Sequence, residues 1–165
     1  MTGEPREQQL TEFFGRLKQT ESPVEIQFLE EEIWELWMES GSAGMDVLMQ
    51  EGIRDMANGD YNRAINHFSV VIDSLPDYAE AWNKRATAYY LRGDFKRSLD
   101  DVNETLRLEP RHFGALSGAA SMFLAIGDKR SALKALEKML EIAPSKEHLK
   151  EQIDELHREL GTRRI

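Results

Sequence analysis

Apolar residues recur along this chain at spacings of three and four, and glycine and proline cut that pattern into segments of helical length. The punctuation is periodic. Gly59-Asp60, Gly93-Asp94 and Gly127-Asp128 follow one another at intervals of 34 residues, and Pro76, Pro110 and Pro144 keep the same offset. Columns between these marks agree in size: Leu48, Trp82 and Leu116; Gly52, Ala86 and Ala120; Ala64, Ser98 and Ala132; Phe68, Val102 and Leu136. Small residues recur where two helices must approach closely, and large apolar ones recur where the gap must be filled. Each unit therefore reads as a helical hairpin. The glycine takes the left-handed turn after the first helix, the aspartate caps the second, and the proline ends it. Ahead of Trp82, Asp77 and Glu80 form a capping-box pattern.

The flanks read as ends for a stack of hairpins. Leu149, Ile153, Leu156 and Leu160 form one apolar stripe, which predicts a solvating terminal helix over residues 147–160 and a frayed tail from Thr162 within 161–165. Leu10, Phe13, Phe14 and Leu17 predict one short helix. Ser22-Pro23-Val24-Glu25 has the form of a helix start with proline at its first position, and that helix carries Leu29, Ile33, Trp34, Trp37 and Met38. Residues 7–40 are expected to form a degenerate hairpin stacked on the first repeat, with its first helix cut short and Ser40 to Gly44 as the connection.

These residues resemble the tetratricopeptide repeat across Met45 to Lys146, in three consecutive units at 45–78, 79–112 and 113–146. The resemblance implies an all-α fold, a right-handed α-solenoid of helical hairpins forming one domain over residues 1–165. It also implies a non-catalytic interaction module. In this family the first helix of each hairpin lines the inner surface. Carried over column by column, that surface is Met49, Ile53 and Met56, then Asn83, Lys84, Thr87 and Tyr90, then Ser117, Ser121 and Leu124. The expectation is a groove that holds an extended peptide or a helix of a partner protein. Methionine adapts to irregular apolar shapes, and an asparagine can both donate to and accept from a backbone amide. Some family members grip the carboxylates of chaperone tails with basic residues on these helices. The matching positions here are Met49, Ile53, Lys84, Gly114 and Gly118, of which only Lys84 is basic, so a chaperone-tail adaptor is not expected.

Charge narrows the partner class. The net charge is -9, with -7 in residues 1–44 and +2 in residues 113–146. Nucleic acid and anionic lipid surfaces reward a basic footprint, so neither is expected as a partner. No run of about 18 apolar residues is present, so no membrane insertion is expected. The start MTGEPREQQL lacks the form of a secretory signal, which predicts a cytoplasmic protein, or a periplasmic or exported one from which a signal segment has been removed. With no cysteine, thiol chemistry and thiolate metal sites are excluded. His67, His112, His148 and His157 have no metal-site spacing, and no phosphate loop or nucleophile elbow occurs. No catalytic residue, cofactor or metal is expected.

Two features stand apart from the groove. Glu51 and Arg85 share a column that the family usually fills with an apolar residue, and Asp55 lies one turn beyond Glu51. Unpaired burial there is costly, so Arg85 is expected to bridge to Glu51 or Asp55 across the repeat junction. The acidic run Glu30-Glu31-Glu32 precedes Ile33-Trp34, and an aromatic on the outer side of a terminal hairpin exposes a binding patch. The alternative function is accordingly a structural assembly subunit, or a homodimer formed through the acidic N-terminal hairpin or the convex face.

Overall fold

The computed structural model describes residues 4–162, and among these the chain forms nine α-helices and no strand. They are α1 (Glu4–Gln19), α2 (Pro23–Met38), α3 (Ala43–Ala57), α4 (Tyr61–Ser74), α5 (Ala79–Leu91), α6 (Phe95–Leu108), α7 (Phe113–Ala125), α8 (Lys129–Ile142) and α9 (Glu147–Leu160). Contacts divide the chain into two compact units, Trp37–Met122 and Met1–Leu36 with Phe123–Ile165.

The expected punctuation acts as turn chemistry. Gly59, Gly93 and Gly127 adopt φ of 78°, 85° and 81°, which a side chain would resist. Behind each glycine, the N–H of Asp60, Asp94 or Asp128 returns to the carbonyl of Asp55, Tyr89 or Phe123 at 2.8–2.9 Å, satisfying an orphan carbonyl of the first helix. Asp94 and Asp128 accept from the N–H of Arg97 and Ser131 at 3.2 and 3.1 Å, as N-caps do. Asp60 departs from the pattern. Its side chain makes no cap bond and faces Arg63 at 3.9 Å instead. The prolines stand two residues beyond Ser74, Leu108 and Ile142, where α4, α6 and α8 end.

In the unit Trp37–Met122 the core gathers Met49, Ala64, Ile65, Phe68, Val71, Ile72, Tyr78, Ala81 and Ala88. Gly52 lies against the Phe68 ring so closely that an added Cβ would stand 2.5 Å from Cε1. The size columns thus compensate, with the smallest residue of one column set beside the largest of the other. Between α5 and α6, Ser98 Oγ donates to the Ala86 carbonyl at 2.7 Å, so this buried hydroxyl is satisfied. Tyr78 Oη donates to the Met38 carbonyl at 2.6 Å.

In the other unit α8 packs on α9, and α1 packs on α8. Glu30 on α2 pairs with Lys146 at the start of α9. Within this unit the N-terminal hairpin meets the third repeat and the terminal helix, while Met38 at the end of α2 packs in the other unit against the core of the first repeat, where the hairpin was expected. Its first helix is not short. Pro5 is tolerated in a first turn and the polar residues between Pro5 and Leu10 are good helix formers, so α1 runs for 16 residues. The start of α2 is close to expectation, with Ser22 Oγ accepting from the Glu25 N–H at 3.3 Å. The Glu25 carboxylate turns away to Thr20 and Arg16, at 2.7 and 2.8 Å. Those two bonds, Thr20 first, hold its carboxyl below the ordinary glutamate range. At the other end Gly161 has φ 66°, and Thr162 is bonded to His157 through both its N–H and its hydroxyl. Thr162 is therefore anchored rather than frayed, and the rest of the expected tail, 163–165, lies outside the described residues.

Candidate functional site

A cleft opens between α5 and α7 within the unit Trp37–Met122. Asn83, Thr87 and Tyr90 form one wall at i, i+4 and i+7, and Gly114, Ser117, Gly118 and Ser121 form the other. Ala86, Ser98, Val102, Ala115 and Met122 complete it, and no charged residue is among the lining. The space exists because the residues that could fill it are small. At Gly118 an added Cβ would meet nothing within 4 Å. The volume is about 170 Å³, below the roughly 300–1,000 Å³ of small-molecule sites but enough for a side chain or a stretch of backbone. Tyr90, 38% exposed, stacks on Phe95 with ring centroids 5.3 Å apart and marks the open end.

Asn83 is held from behind. Its Nδ2 donates to Glu80 Oε1 at 3.2 Å, and because a carboxylate only accepts, the amide orientation is set. Oδ1 is the acceptor that this bond leaves over. Glu80 is itself fully buried with His112, whose Nε2 lies 2.7 Å from Glu80 Oε2. His112 Nδ1 accepts the Ala115 N–H at 3.1 Å, so the proton sits on Nε2 and is donated to Glu80. The imidazole thereby caps α7 while bridging α5, and Trp37 stacks on it at 4.2 Å with an interplanar angle of 11°. The expected box of Asp77 and Glu80 does not form. Tyr78 is the N-cap of α5 and makes no side-chain cap bond, because Glu80 is engaged with His112, Asn83 and Lys84.

The structure separates the expected groove residues into two sets. Asn83, Thr87, Tyr90, Ser117 and Ser121 come together in the cleft. The methionine-bearing end does not join them. Met49 is fully buried in the core, and Ile53 and Met56 pack half-buried against that same core. A fully buried side chain offers nothing to a partner, so Met49 leaves the contact set. Lys84 points to Glu80 Oε1 at 3.6 Å and does not line the cleft. Trp37 is only 4% exposed and belongs to the packing around His112.

Arg85 does not bridge to Glu51 or Asp55. It makes a two-pronged pair with Asp101 on α6 at 2.7 and 2.9 Å, bonds Ser69 Oγ at 3.1 Å, and lies over the Trp82 ring at 5.1 Å. Glu51 and Asp55 are instead met by His67, at 3.5 and 2.8 Å. The hydrogen bond to Asp101 raises Arg85 above its ordinary value. Burial raises the Asp101 carboxyl above the aspartate range, and the bonds from Arg85 offset this only in part. Attraction within the pair is real, yet desolvation of Asp101 outweighs it on the acid's side. Sequence reasoning looked for the partner across the repeat junction and missed Asp101, which stands 16 residues on in the same hairpin.

Among the described residues no group of three or more His, Cys, Asp or Glu side chains is placed to hold a metal ion, and no helix is long and apolar enough to cross a membrane.

Comparison with known proteins places these observations. The tetratricopeptide repeat family matches residues 49–105 and 92–147. A TPR repeat-containing protein of Rhizobium etli is 36% identical over 95% of this chain and 77% of its own length. Small glutamine-rich tetratricopeptide repeat-containing protein 2 of Saccharomyces cerevisiae is 30% identical over 61% of this chain but only 29% of its own length. Among solved structures, the first TPR of Spaghetti (RPAP3) bound to the HSP90 peptide SRMEEVD superposes with a TM-score of 0.65 at 22% identity, covering 75% of this chain and 97% of that one. The Sgt2 TPR domain from Aspergillus fumigatus gives 0.64 at 22% identity, over 73% and 81%. An all-α solenoid of helical hairpins, with its repeat matched over residues 49–147, means that the chain belongs to the tetratricopeptide repeat family.

Proposed function

We propose that the chain is a non-catalytic interaction module that binds an uncharged stretch of a partner protein, as peptide or helix, in the cleft between α5 and α7. The observation that carries this reading is the convergence of Asn83, Thr87, Tyr90, Ser117 and Ser121 on one open cleft whose lining holds no charge. Asn83 Oδ1 offers an acceptor to a backbone N–H, the hydroxyls of Ser117 and Ser121 adapt to either role, and the glycines let a main chain approach closely. The small volume favours one inserted side chain over a cofactor or substrate.

The first TPR of Spaghetti was solved with an acidic peptide, SRMEEVD, and the fold shared with it supports peptide binding as the kind of activity. The chemistry of the occupant differs here. Lys84 is drawn to Glu80, and Gly114 and Gly118 bring no charge to the lining. An acidic tail would enter this cleft unpaired.

Gly118→Phe tests the proposal, because Gly118 lines the cleft and a Cβ added there meets nothing within 4 Å, so the larger side chain is introduced from an open position. Partners crosslinked to the wild-type chain in extracts of its source are identified, and binding of each to both proteins is then measured by calorimetry. The expected result is at least a tenfold loss of affinity in a variant with unchanged helicity, about 1.4 kcal/mol or more. Equal affinity of the two proteins for every partner refutes the cleft as the working surface.

A further inference from the structure

Away from the α5–α7 cleft, the unit containing α1, α8 and α9 carries two surfaces of opposite character. The first is a stripe on α2. Val24, Phe28, Glu31 and Glu35 follow one another at i, i+4, i+7 and i+11, which puts them on one side of the helix, while Ile26, Leu29 and Ile33 are buried on the other. Val24 is 79% exposed and Phe28 48%, an unusual pair of large apolar residues to leave in water side by side. Glu31 and Glu35 are also exposed, so the stripe is apolar in its first half and acidic in its second.

The second surface is a cleft of about 410 Å³ between α8 and α9, lined by Arg130, Leu133, Lys134, Glu137, His157, Leu160 and Thr162. Leu133 and Leu160 make its floor. Glu137 and His157 face each other at 3.4 Å, and His157 Nδ1 is bonded to Thr162, so those polar groups are engaged within the chain. Arg130 and Lys134 are exposed and form no ion pair with another described residue. Lys134 acts on Asp128 only at longer range, and neither side chain is held in a direct ion pair with a described residue.

We propose that this cleft receives the exposed stripe of α2 from a second copy of the chain. Charge complementarity argues for that occupant: residues 1–44 carry -7 and residues 113–146 carry +2, and the two glutamates of the stripe meet the two cations of the rim. Among the described residues Glu31 is bonded to the neutral Gln27 amide and to no cation. The spacing agrees as well. With α2 antiparallel to α8, Glu35 falls opposite Arg130 and Glu31 opposite Lys134, four residues apart on each helix. The next step of three residues on each helix brings Phe28 beside Glu137, whose carboxylate is turned to His157 at 3.4 Å. Antiparallel alignment also sets the helix dipoles favourably. Phe28 supplies the buried anchor, and the charged pairs set register and association rate.

The experiment is sedimentation velocity of the full chain, at low and high salt, with three variants whose changes are all on exposed residues: Arg130→Glu with Lys134→Glu, Glu31→Lys with Glu35→Lys, and the four together. Wild type is expected to associate with increasing concentration, less so at high salt. Each two-site reversal should weaken association by about tenfold or more, and the four-site swap should restore it. A wild type that stays monomeric up to about 1 mM overturns the proposal. So does association that neither reversal affects, or that the four-site swap fails to restore. A monomeric chain whose α8–α9 cleft takes up a fluorescent oligoglutamate probe also overturns it, and assigns the cleft to an acidic segment of another protein.

Discussion

Gly52→Ala is a change that local propensity favours and packing forbids. Gly52 lies inside α3, and helix propensity alone predicts a gain of about 0.5–1 kcal/mol from the added methyl. The packing effect is larger and opposite. The new Cβ would stand 2.5 Å from Cε1, 2.8 Å from Cζ and 3.0 Å from Cδ1 of Phe68, a ring that is fully buried and has no room to swing. Overpacking of this kind costs about 1–3 kcal/mol, so the net expectation is a loss of roughly 1–2 kcal/mol. For a chain of this size that lowers Tm by about 2–8 °C, read by circular dichroism. The other two repeats carry Ala86 and Ala120 in the Gly52 column and Val102 and Leu136 in the Phe68 column, which suggests the rescue. Phe68→Leu in the wild-type background opens a small cavity and destabilises, whereas in the Gly52→Ala background it removes the clash. A double-mutant cycle should therefore give a favourable coupling of about 1 kcal/mol or more. A neutral or stabilised Gly52→Ala, or a Phe68→Leu cost that is equal in both backgrounds, would refute the argument that these two columns are set against each other.

Other substitutions address the buried charges. Arg85→Met strands the Asp101 carboxylate, and a loss of about 2–4 kcal/mol at pH 7 is expected in urea unfolding. Asp101 already has a raised carboxyl in the fold, so its contribution is fully present below the ordinary aspartate value and is lost as pH rises through the folded one. The deficit of Arg85→Met should accordingly shrink as pH falls, and a pH-independent deficit would contradict this. Glu109 gives the opposite sign. Burial pushes its carboxyl up, but the side-chain and backbone bonds from Arg111 hold it below the ordinary glutamate value. Its stabilisation is present above that value and is lost as pH falls through the folded one. Arg111→Ala should therefore cost stability at neutral pH and converge on wild type in acid, which unfolding midpoints measured from pH 7 downward would reveal.

What was legible in the sequence was local or periodic. A left-handed glycine, a capping aspartate and a closing proline act within a few residues, and repetition at 34 multiplies a weak signal into a firm one. The cleft was legible for the same reason: Asn83, Thr87 and Tyr90 repeat a helical spacing that Ser117 and Ser121 continue one unit later. Periodicity fails where one column meets different neighbours. Met49 and Ile53 occupy inner-face columns, yet here they pack with the core around Phe68. It fails again where a pair is not repeated in kind. Glu80 with His112 has no counterpart in the other repeats, and the columns of Arg85 and Asp101 hold Glu51 and His67 one repeat earlier, a pair of different chemistry.

Such internal pairs also bear on where function can reside. Charges that the fold engages are withdrawn from recognition: Glu80 and Lys84 hold one another, Glu109 holds Arg111, and Arg85 holds Asp101. An interaction module of this kind recognises its partner with what is left over. In the α5–α7 cleft the remainder is uncharged, because the nearby Lys84 and Glu80 are already engaged with each other, so the recognition proposed there would rest on shape and backbone hydrogen bonds. On α2 and along the α8–α9 rim the remainder is charged and of opposite sign, so selection there must rest on electrostatics and weaken with salt. Two kinds of contact that respond differently to ionic strength can thus be told apart on one chain. An association that survives high salt and is lost on Gly118→Phe belongs to the cleft. One that fades with salt and follows Arg130 and Lys134 belongs to the rim.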